Sequence, residues 1–518
     1  MTEPNTKEQA SAGGESHWAD RAASQIAATG SGPFVVCTGI SPSGPFHVGH
    51  LREILTGDAV TRALRDQGQD ARLVFIVDNL DPLRKVYPFL DPEIFADKVG
   101  FPLVALPGPD GQGRYDQHFL APFLDALETL GVDADIRPAS EFYGSGQMND
   151  VVFTALEKRD TIARILEEVT GKTVPPEWSP WNPRDPDSGR ICAARVLDFD
   201  RRKGWIRFRV TESGAEHVRR VTEGGKLTWR VDWPARWKAL GVSVEPFGKD
   251  HASRGGSYDS GKRLAREVFD MEPPFPIVYE WIALKGQGDM SASRGNVLEP
   301  SRLLEAVPPE VLRYVVLKAR PTRAIRFDPG LPLLRVADEV DRGAEGGPPN
   351  RALELSTAAD VERLGVPWRH LVLVGQIADF DPDRAREILE RGGYRDLEPS
   401  ALARRLEMVR RWLESFAPEE VKVSVCATLP ASVAELSESQ KRLLGRLAEA
   451  LESLDDPEAI QATIRELGGA EDGPGVGEGF KAVYRALIDR DRGPRAGHFI
   501  AALGPRQVAR RLAEAAGS

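Results

Sequence analysis

The chain has 518 residues, 41% of them hydrophobic and 28% charged, which suits a soluble globular protein of two to four domains with sizeable cores. A formal net charge of −10 argues against indiscriminate nucleic-acid binding, so a polyanionic partner would have to meet local basic patches. Three scattered cysteines (Cys37, Cys192, Cys426) form no disulfide framework or Cys-x-x-Cys site, and no apolar run reaches membrane-spanning length. These bounds point to the cytoplasm and to no membrane partner. Met1 to Ser16 is polar and reads as a mobile tail.

The first organised stretch is a βαβ unit: strand 34–39, helix 48–67, strand 72–78, with Gln67-Gly68-Gln69-Asp70 as the helix stop. Its right-handed crossover places Gly39 and Asp78 at neighbouring carboxyl ends of parallel strands, where open α/β sheets bind ligands. Between strand and helix runs a Ser/Pro/Gly turn, and His47 and His50 stand three apart at the helix start. Free N–H groups and partial positive charge there favour an anion that both imidazoles can reach. A lone His-x-x-His also occurs by chance.

Asp78 and Asp81 either border that pocket or are solvated loop carboxylates. Gly108 to Gly113 is turn chemistry, with neither the preceding strand nor the Lys-Ser/Thr of a phosphate cradle. Helical periodicity covers 118–130 and 148–169. Residues 171–225 read as a β-rich insertion: a Pro/Trp cluster, then strands 191–199 and 205–210 forming a hairpin. Trp229, Trp233 and Trp237 recur every four residues and read as core packing. His251 follows a glycine turn, Tyr279 ends an apolar run, and 289–296 reads as a flexible loop. A helix starts near 308, and Arg326-Phe327-Asp328 closes the first portion of the chain.

From Leu331 amphipathic helices predominate: 359–364, 368–379, 382–391, 399–416, 431–453, 457–467, 478–489, 494–502 and 505–515. Arg404, Arg405, Arg410 and Arg411 beside Trp412, and Arg492, Arg495, Arg506 and Arg510, offer two basic surfaces for RNA. A solvated helix face is the simpler reading of each.

His47-Val48-Gly49-His50 and Met290-Ser291-Ala292-Ser293-Arg294 together resemble the paired ATP signatures of class I aminoacyl-tRNA synthetases. His17-Trp18-Ala19-Asp20, Gly39 to Gly44, Asp78 to Lys85, Lys226 to Trp233 and Gly248-Lys249-Asp250-His251 look like class I lysyl-tRNA synthetase. The resemblance runs from about His17 to near the C-terminus. It implies an α/β fold: a Rossmann-type parallel-sheet catalytic domain over 17–330 with the insertion, then an all-α anticodon-binding domain over 331–518. It further implies activation of L-lysine with ATP and Mg²⁺, transfer to the 3′ end of tRNA(Lys), and action as a monomer.

The same resemblance assigns catalysis to His47, His50, Ser291, Ser293 and Arg294. ATP contacts are implied for Pro42, Gly44, His47, Gly49, His50, Met290, Ser291 and Arg294. Lysine contacts are implied for Gly39, Ser41, Trp229, His251 and Tyr279, and Asp78 and Asp232 are the candidate acidic partners of an ammonium. Many relatives carry zinc-ligand cysteines near the insertion; with only Cys192 there, no structural zinc is expected.

Two positions depart from the family pattern. Asp289 stands where the loop signature usually has its first lysine, and Arg294 puts a planar fork in place of a compact ammonium. Lys285 could fold over through Gly286 and Gly288 to compensate. Three other readings stay open: glutamate as substrate, with Arg230 as its anchor; a non-tRNA acceptor; and a silent RNA-binding paralogue.

Overall fold

The computed structural model describes residues 16–286, 288–290, 297–344, 350–358 and 364–518. Two units emerge: Met1–Arg302 with Leu312–Phe327 and Asn350–Ala359, and Leu303–Val311 with Asp328–Pro349 and Asp360–Ser518.

The first unit is built on five parallel strands: β1 (Phe34–Ile40), β2 (Ala71–Val77), β3 (Ala134–Pro138), β9 (Val242–Gly248) and β10 (Phe275–Tyr279). Their order is β10-β9-β1-β2-β3. The strand order therefore reverses between β1 and β9, and a crevice opens there at the carboxyl ends. The apolar run of β1 is buried along its length until Gly39, as a strand covered on both faces must be.

The helix after β1 begins differently from the sequence expectation. Val48–His50 is a 3₁₀ turn with His47 as its cap, and the α-helix proper, α1 (Leu51–Asp66), follows. A 3₁₀ turn eclipses residues three apart, which stacks the two imidazoles directly. Arg52, fully buried in α1, donates to the carbonyls of Val316 (2.8 Å) and Arg320 (2.8 Å). His17 and Trp18 bond the carbonyl of Leu317 at 3.0 and 2.9 Å. These side chains satisfy carbonyls that the helix Pro309–Leu317 leaves open at its end.

Helix α2 (Tyr115–Thr129) precedes β3, and the predicted 148–169 helix is two: α3 (Asn149–Glu157) and α4 (Arg159–Thr170). The insertion carries more sheet than the expected hairpin. Strands β5 (Ala194–Asp200), β6 (Trp205–Val210) and β7 (Glu216–Arg220) make a three-stranded antiparallel sheet. At the base, β4 (Trp181–Pro183) pairs with β8 (Gly225–Leu227). Cys192 is half-buried there, its thiol pushed up to about 11 by burial. Asp185, Asp187 and His217 bring possible metal-ligand atoms within 4.8 Å of one another. The Asp185 carboxylate is already engaged, accepting from the Ser188 hydroxyl at 2.6 Å in a tight turn.

After β8 the chain enters α5 (Trp229–Leu240), buried nearly all round, then β9, α6 (Ser257–Glu267) and β10. A small sheet of Ile282–Leu284, Gly288–Asp289 and Ile325–Phe327 follows. Helix α7 (Arg351–Ser356) belongs to this unit as well, because Arg351 pairs with Asp20 (3.0 Å) and Asp66 (2.6 Å).

The second unit is helical throughout its described residues. It includes Leu331–Ala344, which the sequence reading did not single out, then α8 (Trp368–Ile377), α9 (Pro382–Arg391) and α10 (Pro399–Ser415). The expected 431–453 helix splits into a short 3₁₀ stretch, Ala431–Glu435, and α11 (Glu438–Ala450). Ser437 breaks the run because its hydroxyl and the Gln440 amide form a capping box. Helices α12 (Pro457–Gly469), α13 (Val476–Ile488), α14 (Ala496–Leu503) and α15 (Pro505–Ala516) complete the unit. The expected helix 359–364 falls mostly outside the described residues. Among the described residues no helix is long and apolar enough to cross a membrane.

One of the two expected RNA surfaces is reduced, with Arg404 and Arg411 still exposed. Arg405 is buried, paired with Asp341 at 3.0 Å and lying 4.5 Å over the Trp368 ring, and Trp412 is fully buried. Arg410 and Arg411 both pair with Glu407, at 2.7 and 2.9 Å.

Candidate active site

The Ser41 to Pro45 turn leaves β1 with Pro42 and Gly44 buried, and Tyr115 on α2 pins it by donating to the Ser43 carbonyl at 2.8 Å. The His47 and His50 rings then stack at 3.9 Å with an interplanar angle of 24°. The His47 amide donates to His50 Nδ1 at 3.0 Å, so Nδ1 carries no proton and Nε2–H is left as a donor. Burial lowers both pKa values, that of His47 to about 4, so the pair is neutral at ordinary pH. A side chain on Gly49 would strike the His47 ring at 2.8 Å, which is why glycine stands between the histidines.

The second signature reaches this turn. The Met290 methyl lies 3.4 Å from where a β-carbon on Gly49 would stand, and the Val48 amide donates to the Leu298 carbonyl at 2.8 Å. Both flanks of the 291–296 loop are thus docked on the histidine turn. Ser291, Ser293 and Arg294 themselves lie outside the described residues.

Beside the turn, at the switch point of the sheet, is a narrow cavity of about 40 Å³. Gly39, Asp78, Trp229 and His251 line it, together with Glu53, Arg236 and Glu245, which the sequence reading did not single out. Glu53 accepts from the Gly39 amide (2.8 Å) and the Tyr279 hydroxyl (2.6 Å), so Tyr279 acts on the pocket through Glu53. Burial pushes the Glu53 carboxyl up to about 7. Glu245 accepts from Trp233 Nε1 at 2.8 Å, while its Oε2 is buried with no hydrogen-bond partner. Burial raises its pKa well above the ordinary carboxylate range. Trp229, 40% exposed, stacks on Trp233 at 5.5 Å and leaves an aromatic face at the mouth beside His251. Ser41 is half-buried on the adjoining turn.

Asp232, the other candidate partner for an ammonium, is not among the residues that line the cavity. Its side chain is fully buried beneath the cavity, bonded to the Tyr143 hydroxyl (2.6 Å) and to Arg236 (2.5 Å). It sits on the buried side of α5, between Val231 and Trp233 and one turn from Arg236. Arg236 also binds Asp78 and, with Lys226, holds that carboxyl below its usual range against the opposing effect of burial. Lys226 completes the network at 2.5 Å from Asp81 and 3.6 Å from Asp232. Lone acids in otherwise apolar segments, Glu53 among Leu51, Ile54 and Leu55 and Glu245 in Val242–Gly248, were the available signal for the two missed carboxylates.

The family described as tRNA synthetases class I (K) matches residues 16–358, and an anticodon binding domain matches residues 403–516. The lysine-tRNA ligase of Archaeoglobus fulgidus is 44% identical, over 96% of this chain and 99% of that one. Lysine-tRNA ligase 1 of Methanosarcina acetivorans is 43% identical, over 93% and 95%, and the lysine-tRNA ligase of Thermoplasma volcanium 39%, over 94% and 96%. With a histidine turn, Met290 of the second signature beside it and a carboxylate-lined pocket at the sheet's switch point, the chain belongs to the class I lysyl-tRNA synthetase family.

Proposed function

We propose that the chain is a lysine-tRNA ligase, activating L-lysine with ATP and Mg²⁺ and delivering the lysyl group to the 3′ end of tRNA(Lys). The observation that carries the choice of amino acid is the buried, unpartnered Oε2 of Glu245 in a pocket that also holds Glu53 and Asp78. An ammonium group relieves that arrangement, whereas a second carboxylate would aggravate it. The cationic anchor a glutamate substrate would need is missing from Arg230. Its guanidinium donates to the Gly256 carbonyl and the Ser260 hydroxyl, at 3.0 and 3.1 Å. Arg236 is likewise taken up by Asp78 and Asp232.

In the first step an oxygen of the lysine carboxylate attacks the α-phosphorus of ATP, the bond to pyrophosphate breaks, and lysyl-adenylate forms. In the second a ribose hydroxyl of the terminal adenosine attacks the lysyl carbonyl and AMP leaves. No protein nucleophile is needed; positioning and stabilisation of phosphate charge supply the rate. Glu245, Glu53 and Asp78 hold the ammonium, with Trp229 and His251 flanking the aliphatic stem. His50 Nε2–H donates to phosphate as a neutral imidazole, His47 works beside it, and Gly49 keeps their approach open. Positive charge over the triphosphate falls to Arg294, with Ser291 and Ser293 as donors. The reading includes action as a monomer in the cytoplasm.

The test is pyrophosphate exchange, with tRNA present, for lysine and glutamate side by side, followed by charging of purified tRNA(Lys). Lysine-dependent exchange and lysyl-tRNA formation are expected, and exchange should collapse in Arg294→Ala. Exchange with glutamate instead of lysine would overturn the assignment of substrate; exchange without charging would overturn that of acceptor.

A further inference from the structure

Arg236 puts a permanent positive charge in the wall of the amino-acid cavity, where like charge works against an ammonium. Its side chain is only 4% exposed, so solvent does little to screen it. Two carboxylates contain it. Asp232 stands one turn earlier on α5, the order that favours an acid–base pair along a helix, and its Oδ2 lies 2.5 Å from Arg236 Nη2. Asp78, just beyond β2, places Oδ1 on the same nitrogen. The guanidinium is not saturated by this pair, because Arg236 Nε is buried with no hydrogen-bond partner.

Asp78 faces two ways. Oδ1 is on Arg236, whereas Oδ2 lies 3.7 Å from where a β-carbon on Gly39 would stand, at the cavity wall. Against the burial that would raise it, Arg236 and Lys226 hold Asp78 below the usual carboxylate range. Burial pushes Glu53 up to about 7 and Glu245 well above the ordinary range. Of the three carboxyls, Asp78 is therefore the one ionised throughout the neutral range in the empty pocket, and Arg236 stands behind it.

The shape of the substrate gives this arrangement its meaning. 2-Aminoadipate carries three methylenes and then a carboxylate, so its oxygens fall where the side-chain nitrogen of lysine falls. Length does not separate the two amino acids; the sign of the charge that meets the tip does.

We propose that Arg236 is a specificity-determining residue of the lysine site: clamped by Asp78 and Asp232 it is withheld from substrate, and unclamped it anchors a side chain that ends in a carboxylate. Attraction of lysine and exclusion of acidic amino acids then come from one ion pair, Asp78 presenting its own charge to the ammonium and covering that of Arg236. Arg236 touches no lysine in this scheme and acts on it through Asp78. The inference rests on the reading of lysine as substrate and adds which residues turn the acidic amino acids away.

The test is equilibrium binding of lysine, 2-aminoadipate and norleucine to the full chain by titration calorimetry, norleucine being the uncharged reference. Wild type should bind lysine, and should prefer norleucine to 2-aminoadipate. Asp78→Asn/Glu245→Gln keeps acceptors for Arg236 and Trp233 but removes two carboxyls that can ionise. In that variant lysine should weaken about 100-fold or more, and 2-aminoadipate should tighten about 10-fold or more relative to norleucine. Adding Arg236→Met should return 2-aminoadipate to the level of norleucine or below. Arg236→Lys in its place should keep part of the gain, a rescue that a merely structural role would not produce. Thermal melts accompany each variant. Should the double variant not fold, Asp78→Asn alone, with Asp232 still supporting Arg236, must show the same reversal of order between 2-aminoadipate and norleucine. If 2-aminoadipate still ranks below norleucine in a folded variant, or keeps its gain after Arg236→Met, the inference is overturned. Wild type preferring glutamate or 2-aminoadipate to lysine would instead overturn the reading of lysine as substrate.

Discussion

The amide of Val48 donates to the carbonyl of Leu298 at 2.8 Å, joining the histidine turn near the start of the first unit to the far end of the second signature loop. Met290 packs over Gly49 from the other end of that loop.

Gly49→Ala places a methyl group 2.8 Å from His47 Nδ1, so the His47 ring must turn out of its stack on His50. The fall expected in kcat for charging is about 10-fold or more, since small displacements of positioning groups cost heavily in rate. Circular dichroism melts should change little, and KM for lysine should hold because the carboxylate pocket is untouched.

Glu245→Gln keeps an acceptor for Trp233 Nε1 but removes the carboxyl group that can ionise against the substrate ammonium. KM for lysine should rise about 100-fold, the scale for truncating one side of a desolvated charge pair, with KM for ATP unaltered. Thermal stability should hold or increase, because the free protein no longer buries an acidic group with one oxygen left without a partner.

Glu53 supplies a pH signature. Its folded pKa of about 7 exceeds the ordinary 4.5, so the folded protein binds more protons and loses stability as pH rises through that window. Lysine binding favours the ionised form, so KM for lysine should climb as pH falls below about 7, approaching tenfold per unit where one proton is displaced. Glu53→Gln should flatten that limb, with Glu245, Asp78 and Tyr279 still present; an unchanged profile would refute the role of Glu53.

Asp232→Asn weakens the anchor beneath the pocket, leaving the Arg236 and Lys226 charges short of one carboxylate. A loss of about 3–5 kcal/mol in urea unfolding is expected for breaking such a buried network. KM for lysine should rise along with it, since Arg236 also holds Asp78.

The βαβ unit and most helices of the second unit were legible because apolar periodicity and turn residues report them directly. Glu53 and Glu245 escaped notice because an isolated acid reads as solvated until its partners, here Tyr279 and Trp233, are brought in from distant chain. Asp232 was misplaced because α5 has no polar face to show which way a side chain turns. The Arg404 to Arg411 surface misled for the opposite reason: Glu407 neutralises two of its guanidinium groups locally, and Asp341 draws a third into the core.

Lys226 arrives on β8, the strand that closes the insertion, and ends among Asp81, Asp232 and Asp78 under the amino-acid pocket. The strand that closes the excursion between the two halves of the nucleotide fold therefore contributes a counter-ion to Asp81 and Asp232. A trimmed enzyme in which that excursion is replaced by a short linker would inherit a surplus of buried negative charge. It would not become a minimal adenylating core unless Lys226 were given back on another support.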